Sequence, residues 1–212
     1  MEFQQAIKQY DEEPITRQAL LQVLKEYKRP FDKISELIKQ EKLIPVKRGI
    51  FVAGTNLGIL QPDRFLLANH ISGPSYVSLE SALSHWGLIP ERVFETVSVT
   101  MKRSKYYRTA VGRFTYLHAP LPYYSFGIRH IQLTSRQHAL IASPAKALCD
   151  KIIMTPGINL RSTKQTREFL LDDLRIERQS LQQMNIREIE TWLKDAPKRQ
   201  SLIMLTKTLR EL

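Results

Sequence analysis

The chain has 212 residues, of which 42% are hydrophobic and 25% charged, with a formal net charge of +11. This balance places it among ordinary globular proteins; no apolar run approaches a membrane span, and the single cysteine, Cys149, excludes an internal disulfide. The positive excess is +2 over residues 1–55, +5 over 56–150 and +4 over 151–212, so it runs along the whole chain and points to a polyanionic partner, nucleic acid first.

Residues 1–14 contain no apolar signal region, and with one cysteine the expectation is a cytoplasmic protein. A short helix fits residues 2–10, with Phe3, Ala6, Ile7 and Tyr10 on one side. Thr16 is a predicted N-cap for a helix reaching about Tyr27, with Ala19, Leu20, Val23 and Leu24 inward. Pro30 suits the first position of the next helix. Phe31, Ile34, Leu37 and Ile38 then form an apolar stripe, opposite Arg29, Asp32, Lys33, Glu36 and Gln40. Leu43, Ile44 and Val46, then Ile50, Phe51 and Val52, lie in short β-rich runs joined by Lys47, Arg48 and Gly49, which predicts a tight hairpin with Gly49 at positive φ.

A helix followed by a basic-tipped hairpin is what a winged helix-turn-helix needs, the helix for a major groove and the wing for phosphates. Candidate DNA contacts are Arg17, Lys28, Arg29, Lys33, Glu36, Lys39, Gln40, Lys47 and Arg48. The first domain is expected to cover residues 1–55, with a loop at residues 54–58 leading into a second domain over 56–212.

In the second domain, Pro62 opens a predicted helix that Gly73 and Pro74 end, and Ser78 caps another carrying Leu79, Ala82, Leu83 and Trp86. Residues 94–101 and 112–118 read as partner strands, and 126–133 and 138–142 as two more. Ser143 and Pro144 start a helix through Leu148 and Ile152. From Ser162, which has capping-box spacing to Gln165, a helical tail runs over residues 162–212, with breaks near Ile176, Asn185 and Pro197. Between the first two strands lie Lys102, Arg103, Lys105, Tyr106, Tyr107 and Arg108, too polar for core. They are read as an exposed hairpin whose interleaved cations and tyrosines suit a second nucleic-acid or toxin contact.

No catalytic or metal set emerges and no cofactor is expected. The five histidines (70, 85, 118, 130 and 138) lack paired metal spacing, and no nucleophile elbow or phosphate loop is present. Cys149 reads as a buried structural thiol and Trp86 and Trp192 as core. A nucleic-acid-processing enzyme would need clustered acids near strand ends, and residues 94–142 hold only Glu95.

Four segments carry a family resemblance: residues 76–90 (YVSLESALSHWGLIP), 97–103 (VSVTMKR), 112–118 (GRFTYLH) and 142–150 (ASPAKALCD). In this order the chain resembles the AbiEi-type antitoxins of bacterial AbiE (type IV) toxin–antitoxin systems, from about Thr16 to the C-terminus. The resemblance implies an N-terminal winged helix that represses its own promoter, and a C-terminal domain that counteracts a co-encoded nucleotidyltransferase-like toxin without needing a stable complex. The chain departs from many such relatives at Ala145, where they carry Glu. The expected fold is therefore α+β: a winged helix-turn-helix, then a mixed α/β domain with a helical C-terminal tail. The expected role is a non-enzymatic antitoxin and autorepressor with promoter DNA as partner and no membrane partner. A stand-alone winged-helix regulator is the alternative, and a nucleic-acid-processing enzyme a weaker one.

Overall fold

The computed structural model of the protein describes residues 3–212, in a mixed α+β arrangement of ten helices and two sheets. Residue 2, the first of the expected N-terminal helix, lies outside the described residues. Helix α1 (Phe3–Ile7) runs into a 3-10 turn (Lys8–Tyr10). Strand β1 (Ile15–Thr16), which the sequence reading did not include, leads into α2 (Arg17–Val23), where the Thr16 hydroxyl accepts the Ala19 N–H at 3.1 Å. Helix α2 ends at Val23 rather than near Tyr27. Pro30 disfavours helical backbone at Arg29, whose φ and ψ are −132° and 75°, so the chain turns and restarts as α3 (Pro30–Lys39).

Strands β2 (Leu43–Lys47) and β3 (Ile50–Ala53) follow, and the three-stranded antiparallel sheet has the order β1-β3-β2. Gly49 takes φ +83° at the β2–β3 turn, as expected. Residues Ile7, Ile15, Leu20, Leu24, Ile34 and Leu37 fill a small core beneath this sheet. Strand side chains alternate between faces. Phe51 and Ala53 accordingly join the small core, whereas Val46 of β2 and Val52 of β3 are buried in the larger core of the rest of the chain.

The larger sheet has the order β6-β7-β5-β4-β9-β8. Its strands are β4 (Ser75–Val77), β5 (Glu95–Thr100), β6 (Lys105–Thr109), β7 (Gly112–His118), β8 (Ile128–Gln132) and β9 (His138–Ala142). Two differences from the sequence reading matter. Strand β4 is a further, fully buried strand. Strand β5 pairs with β7 in parallel, so residues 101–111 cannot be a simple hairpin between them. Residues 105–109 instead form the edge strand β6, antiparallel to β7, because their alternating pattern lets Tyr107 pack edge-on against Tyr116 with ring centroids 5.7 Å apart.

Helix α4 (Arg64–Ile71) covers one face of this sheet, where the Tyr116 hydroxyl donates to the Ala68 carbonyl at 2.6 Å. Helices α5 (Leu79–His85) and α6 (Pro144–Met154) complete the layer packing. Ser143 caps α6 as expected. Trp86 is half-buried rather than core, with its indole N–H donating to the Ala142 carbonyl at 2.8 Å.

From Ser162 to the C-terminus the chain is helical, as read: α7 (Thr163–Glu168) continues as a π-helical turn (Phe169–Asp173), then come α8 (Arg178–Gln182), α9 (Ile186–Trp192) and α10 (Arg199–Glu211). No helix among the described residues is long and apolar enough to cross a membrane.

At the centre lies a buried ion pair. Lys146 and Asp150, one turn apart on α6, are both fully buried, with the ammonium 3.2 Å from the carboxylate. The Asp150 carboxylate also accepts the hydroxyls of Ser78 (2.7 Å), Tyr123 (2.8 Å) and Tyr76 (3.0 Å). The Lys146 ammonium donates to the Tyr123 carbonyl at 2.9 Å and lies 3.1 Å from the centre of the Tyr123 ring. Ser78 was expected to cap α5; its hydroxyl is turned to Asp150 instead, and α5 has no side-chain cap. Gly127 (φ +62°) passes so close that a Cβ there would lie 2.8 Å from both Lys146 and the Trp192 ring.

Removing one partner of such a pair leaves a buried charge uncompensated. Asp150→Ala should therefore destabilise the protein by about 3–5 kcal/mol in denaturant titration; a loss no larger than a surface change causes would contradict the arrangement. Burial, and then the neighbouring Asp150 carboxylate, push the Tyr76 and Tyr123 phenols well above their ordinary value of 10.0. A raised folded-state pKa contributes stability that is complete below the unfolded value and lost as pH rises above it. Tyr76 and Tyr123 should therefore ionise only as the protein unfolds in alkali. Smooth ionisation of all eight tyrosines before loss of secondary structure, followed by ultraviolet absorbance and circular dichroism, would disprove this.

Candidate nucleic-acid interface

Helix α3 has a buried side, Ile34 and Leu37 with Ile38 half-buried, and an outer side that is almost wholly polar. Asp32 lies in its first turn and Lys39 in its last, the favourable order for the helix dipole. The outer side is internally bridged. Lys33 donates to Glu36 at 2.8 Å, Gln40 donates to the same Glu36 carboxylate oxygen at 2.9 Å, and the Arg29 guanidinium is 3.8 Å from Asp32. The Lys33 ammonium also sits 5.5 Å from the Tyr27 ring centre. The Glu36 hydrogen bond raises the Lys33 pKa, and the same bond lowers that of Glu36. Three of the predicted groups (Lys33, Glu36 and Gln40) are thus joined in one hydrogen-bonded row, with Arg29 ion-paired to Asp32 in the first turn of the same helix. Lys28 and Lys39 are exposed at the two ends of α3.

The β2–β3 turn is bordered by α2. The Arg17 N–H donates to the Gly49 carbonyl at 2.8 Å, and a Cβ on Gly49 would lie 4.0 Å from the Arg17 Cβ. Arg17 and Arg48 are both exposed, so two guanidinium-bearing residues flank this turn. Lys47 does not join them. Its ammonium donates to the Ile71 carbonyl at the end of α4 at 2.6 Å and lies 5.6 Å from the Tyr107 ring centre. Lys102 likewise donates to the Gly73 carbonyl, just beyond α4. These two lysines, read from sequence as phosphate contacts, are the cations that close the C-terminal end of α4.

Phe31 corrects the predicted apolar stripe. It is 60% exposed in the first turn of α3, where the small core does not reach it.

The second predicted contact set divides three ways. Lys102 and Arg103 lie in the β5–β6 connection. Lys105 and Tyr107 share one face of β6, paired with Tyr116 and Phe114, while Tyr106 and Arg108 share the other, paired with Thr115 and Arg113. Arg113 was not among the predicted contacts; its place opposite Arg108 follows from the β6–β7 register. His130 and His138 stack with centroids 4.8 Å apart, and among the described residues no three His, Cys, Asp or Glu side chains are grouped so as to hold a metal ion. Cys149 is fully buried, as read, and burial pushes its thiol pKa upward.

Because Phe31 is exposed and Leu37 buried, the two should respond oppositely to truncation. Phe31→Ser should change stability by no more than about 0.5 kcal/mol, and Leu37→Ala should cost about 2–5 kcal/mol, both by thermal or urea unfolding. Equal losses would put Phe31 back in the core. In comparisons with known proteins, no family model and no curated protein matches this chain.

Proposed function

We propose that the chain is an antitoxin and autorepressor of the AbiE type. Its first 55 residues act as a winged helix-turn-helix on promoter DNA, and the remainder counteracts a co-encoded nucleotidyltransferase-like toxin. The observation that carries the DNA-binding half is the run α1-β1-α2-α3-β2-β3 with strand order β1-β3-β2. In it a helix with an exposed polar side precedes a hairpin whose turn is flanked by Arg17 and Arg48. That is the order in which a recognition helix and a wing are delivered to a groove and its flanking phosphates. The toxin-directed half is supported by the four sequence segments that resemble AbiEi-type antitoxins, two of which contribute the residues around Asp150 (Tyr76, Ser78 and Lys146).

On this reading the cations divide by role. Lys28, Lys39, Arg17 and Arg48 have no carboxylate partner among the described residues and are the phosphate contacts. Arg29, Lys33, Glu36 and Gln40 form the row that faces base edges. Lys47 sets the tilt of the wing through the Ile71 carbonyl.

The test is fluorescence anisotropy on duplex DNA from upstream of the gene, titrated against salt. Arg17→Ala and Arg48→Ala should each weaken binding to all sequences and lower the logarithmic salt slope by about 0.9. Arg29→Ala should instead change which sequence is preferred. Lys47→Ala should lower thermal stability while leaving the salt slope close to the parent's. Unaltered affinity in both arginine variants would rule out the wing. For the toxin-directed half, co-expression with the adjacent nucleotidyltransferase-like protein should restore growth, and a folded chain that gives no rescue would refute it.

A further inference from the structure

The outer half of the large sheet has one face that no helix covers, and its side chains are unusual for a solvated edge. On β6, Tyr106 is 55% exposed and Arg108 is exposed beside it. Across the pair, Arg108 sits directly opposite Arg113 of β7, and Tyr106 opposite Thr115. On the far side of β7, Glu95 of β5 is level with Arg113; its carboxylate accepts the Thr115 hydroxyl and makes no ion pair with either arginine. Neither arginine has an ion-pair or hydrogen-bond partner for its guanidinium among the described residues. Like charges directly opposite on a sheet repel, so this pair is unfavourable in isolation and is relieved by an anion held between the two guanidiniums.

We propose that this face, centred on Tyr106, Arg108 and Arg113, is a second binding site that takes single-stranded nucleic acid, separate from the α3 surface. A phosphate bridges Arg108 and Arg113, and the adjoining base stacks on the Tyr106 ring. Base–aromatic stacking on an open, cationic sheet is tolerant of sequence and needs an unpaired base, since a duplex hides the faces of its bases. Thr115 and Glu95, next to the ring, are the polar groups that a base edge would meet. An acidic protein segment would satisfy the arginines but has no use for an exposed tyrosine beside them.

The experiment uses the 212-residue chain carrying Arg17→Ala and Arg48→Ala, which weakens the proposed duplex site, with fluorescein-labelled oligouridylate of about 12 nucleotides as the probe. An abasic strand of equal length and charge and polyglutamate serve as competitors. Oligouridylate should bind, and the abasic strand and polyglutamate should compete poorly. Tyr106→Ala should weaken binding roughly ten-fold or more and Tyr106→Phe should preserve it. Arg108→Gln with Arg113→Gln should weaken binding and lower the salt slope by about 0.7, one phosphate contact on a single strand, without lowering the thermal midpoint, since a repulsion is removed. Competition by the abasic strand or polyglutamate as strong as by oligouridylate, with Tyr106→Ala silent, would overturn the proposal in favour of non-specific or acidic-protein attraction. Full binding in the folded double-glutamine variant would overturn it outright. Because every variant is compared in the same Arg17→Ala, Arg48→Ala background and none alters α3, either result leaves the reading of duplex binding untouched.

Discussion

The Asp150 carboxylate is where most of the larger core meets. It collects hydroxyls from β4 (Tyr76), from the residue before α5 (Ser78) and from the 3-10 turn before β8 (Tyr123), and it neutralises Lys146 on its own helix. A lone carboxylate or ammonium in that position would be very costly, so each of the five groups is tolerable only while the others are in place. Burial lowers the Lys146 pKa while the Asp150 charge raises it. The ammonium is held by the carboxylate, the Tyr123 carbonyl and the face of the Tyr123 ring together. Such a cluster specifies register more than it adds stability: shifting α6 by one residue would part every contact that Lys146 and Asp150 make outside their own helix.

A second constraint runs along the seam between the sheets. Where the chain leaves helix α4, two lysines from distant positions hold its carbonyls, Lys47 from the small sheet at Ile71 and Lys102 from the connection before β6 at Gly73, just beyond the helix. Ammonium groups at a helix C-terminus are favourable both as donors and as charges. Elsewhere Lys198 does the same for the end of α6, donating to the Ile152, Thr155 and Ile158 carbonyls at 2.8–2.9 Å. Three cations that add to the net charge are thus structural, and the surface available to a polyanion is smaller and more localised than the +11 total suggests.

Local signals in the chain carried much of this. The Thr16, Ser143 and Ser162 caps, the Gly49 turn and the buried stripe of Ile34 and Leu37 depend on neighbours within one helical turn, and each was legible. What escaped depends on partners far along the chain. The brief strand β1 exists because β3 lies beside it, and β4 because β5 and β9 flank it. The parallel pairing of β5 with β7 requires the intervening residues to form a strand of their own at the edge. Lys146 and Asp150 stood in a quoted segment, yet i and i+4 charges on a helix ordinarily mean a solvated pair; only the tyrosines from two other elements make them a core. At the candidate interface, the outer side of α3 was readable, whereas the inward turn of Lys47 and the pairing of Arg108 with Arg113 were not.

The placement of Val46 and Val52 reaches beyond packing. Both belong to the three-stranded sheet, but their side chains are buried in the core of the larger one. The apolar surface they cover would be bared to water if the first sheet swung away, and about 1.5–3 kcal/mol of burial is at stake for each valine. The N-terminal sheet is therefore not free to pivot like a bead on a string. A load applied to the large sheet is transmitted to the orientation of α3, and the two parts should melt as one cooperative unit.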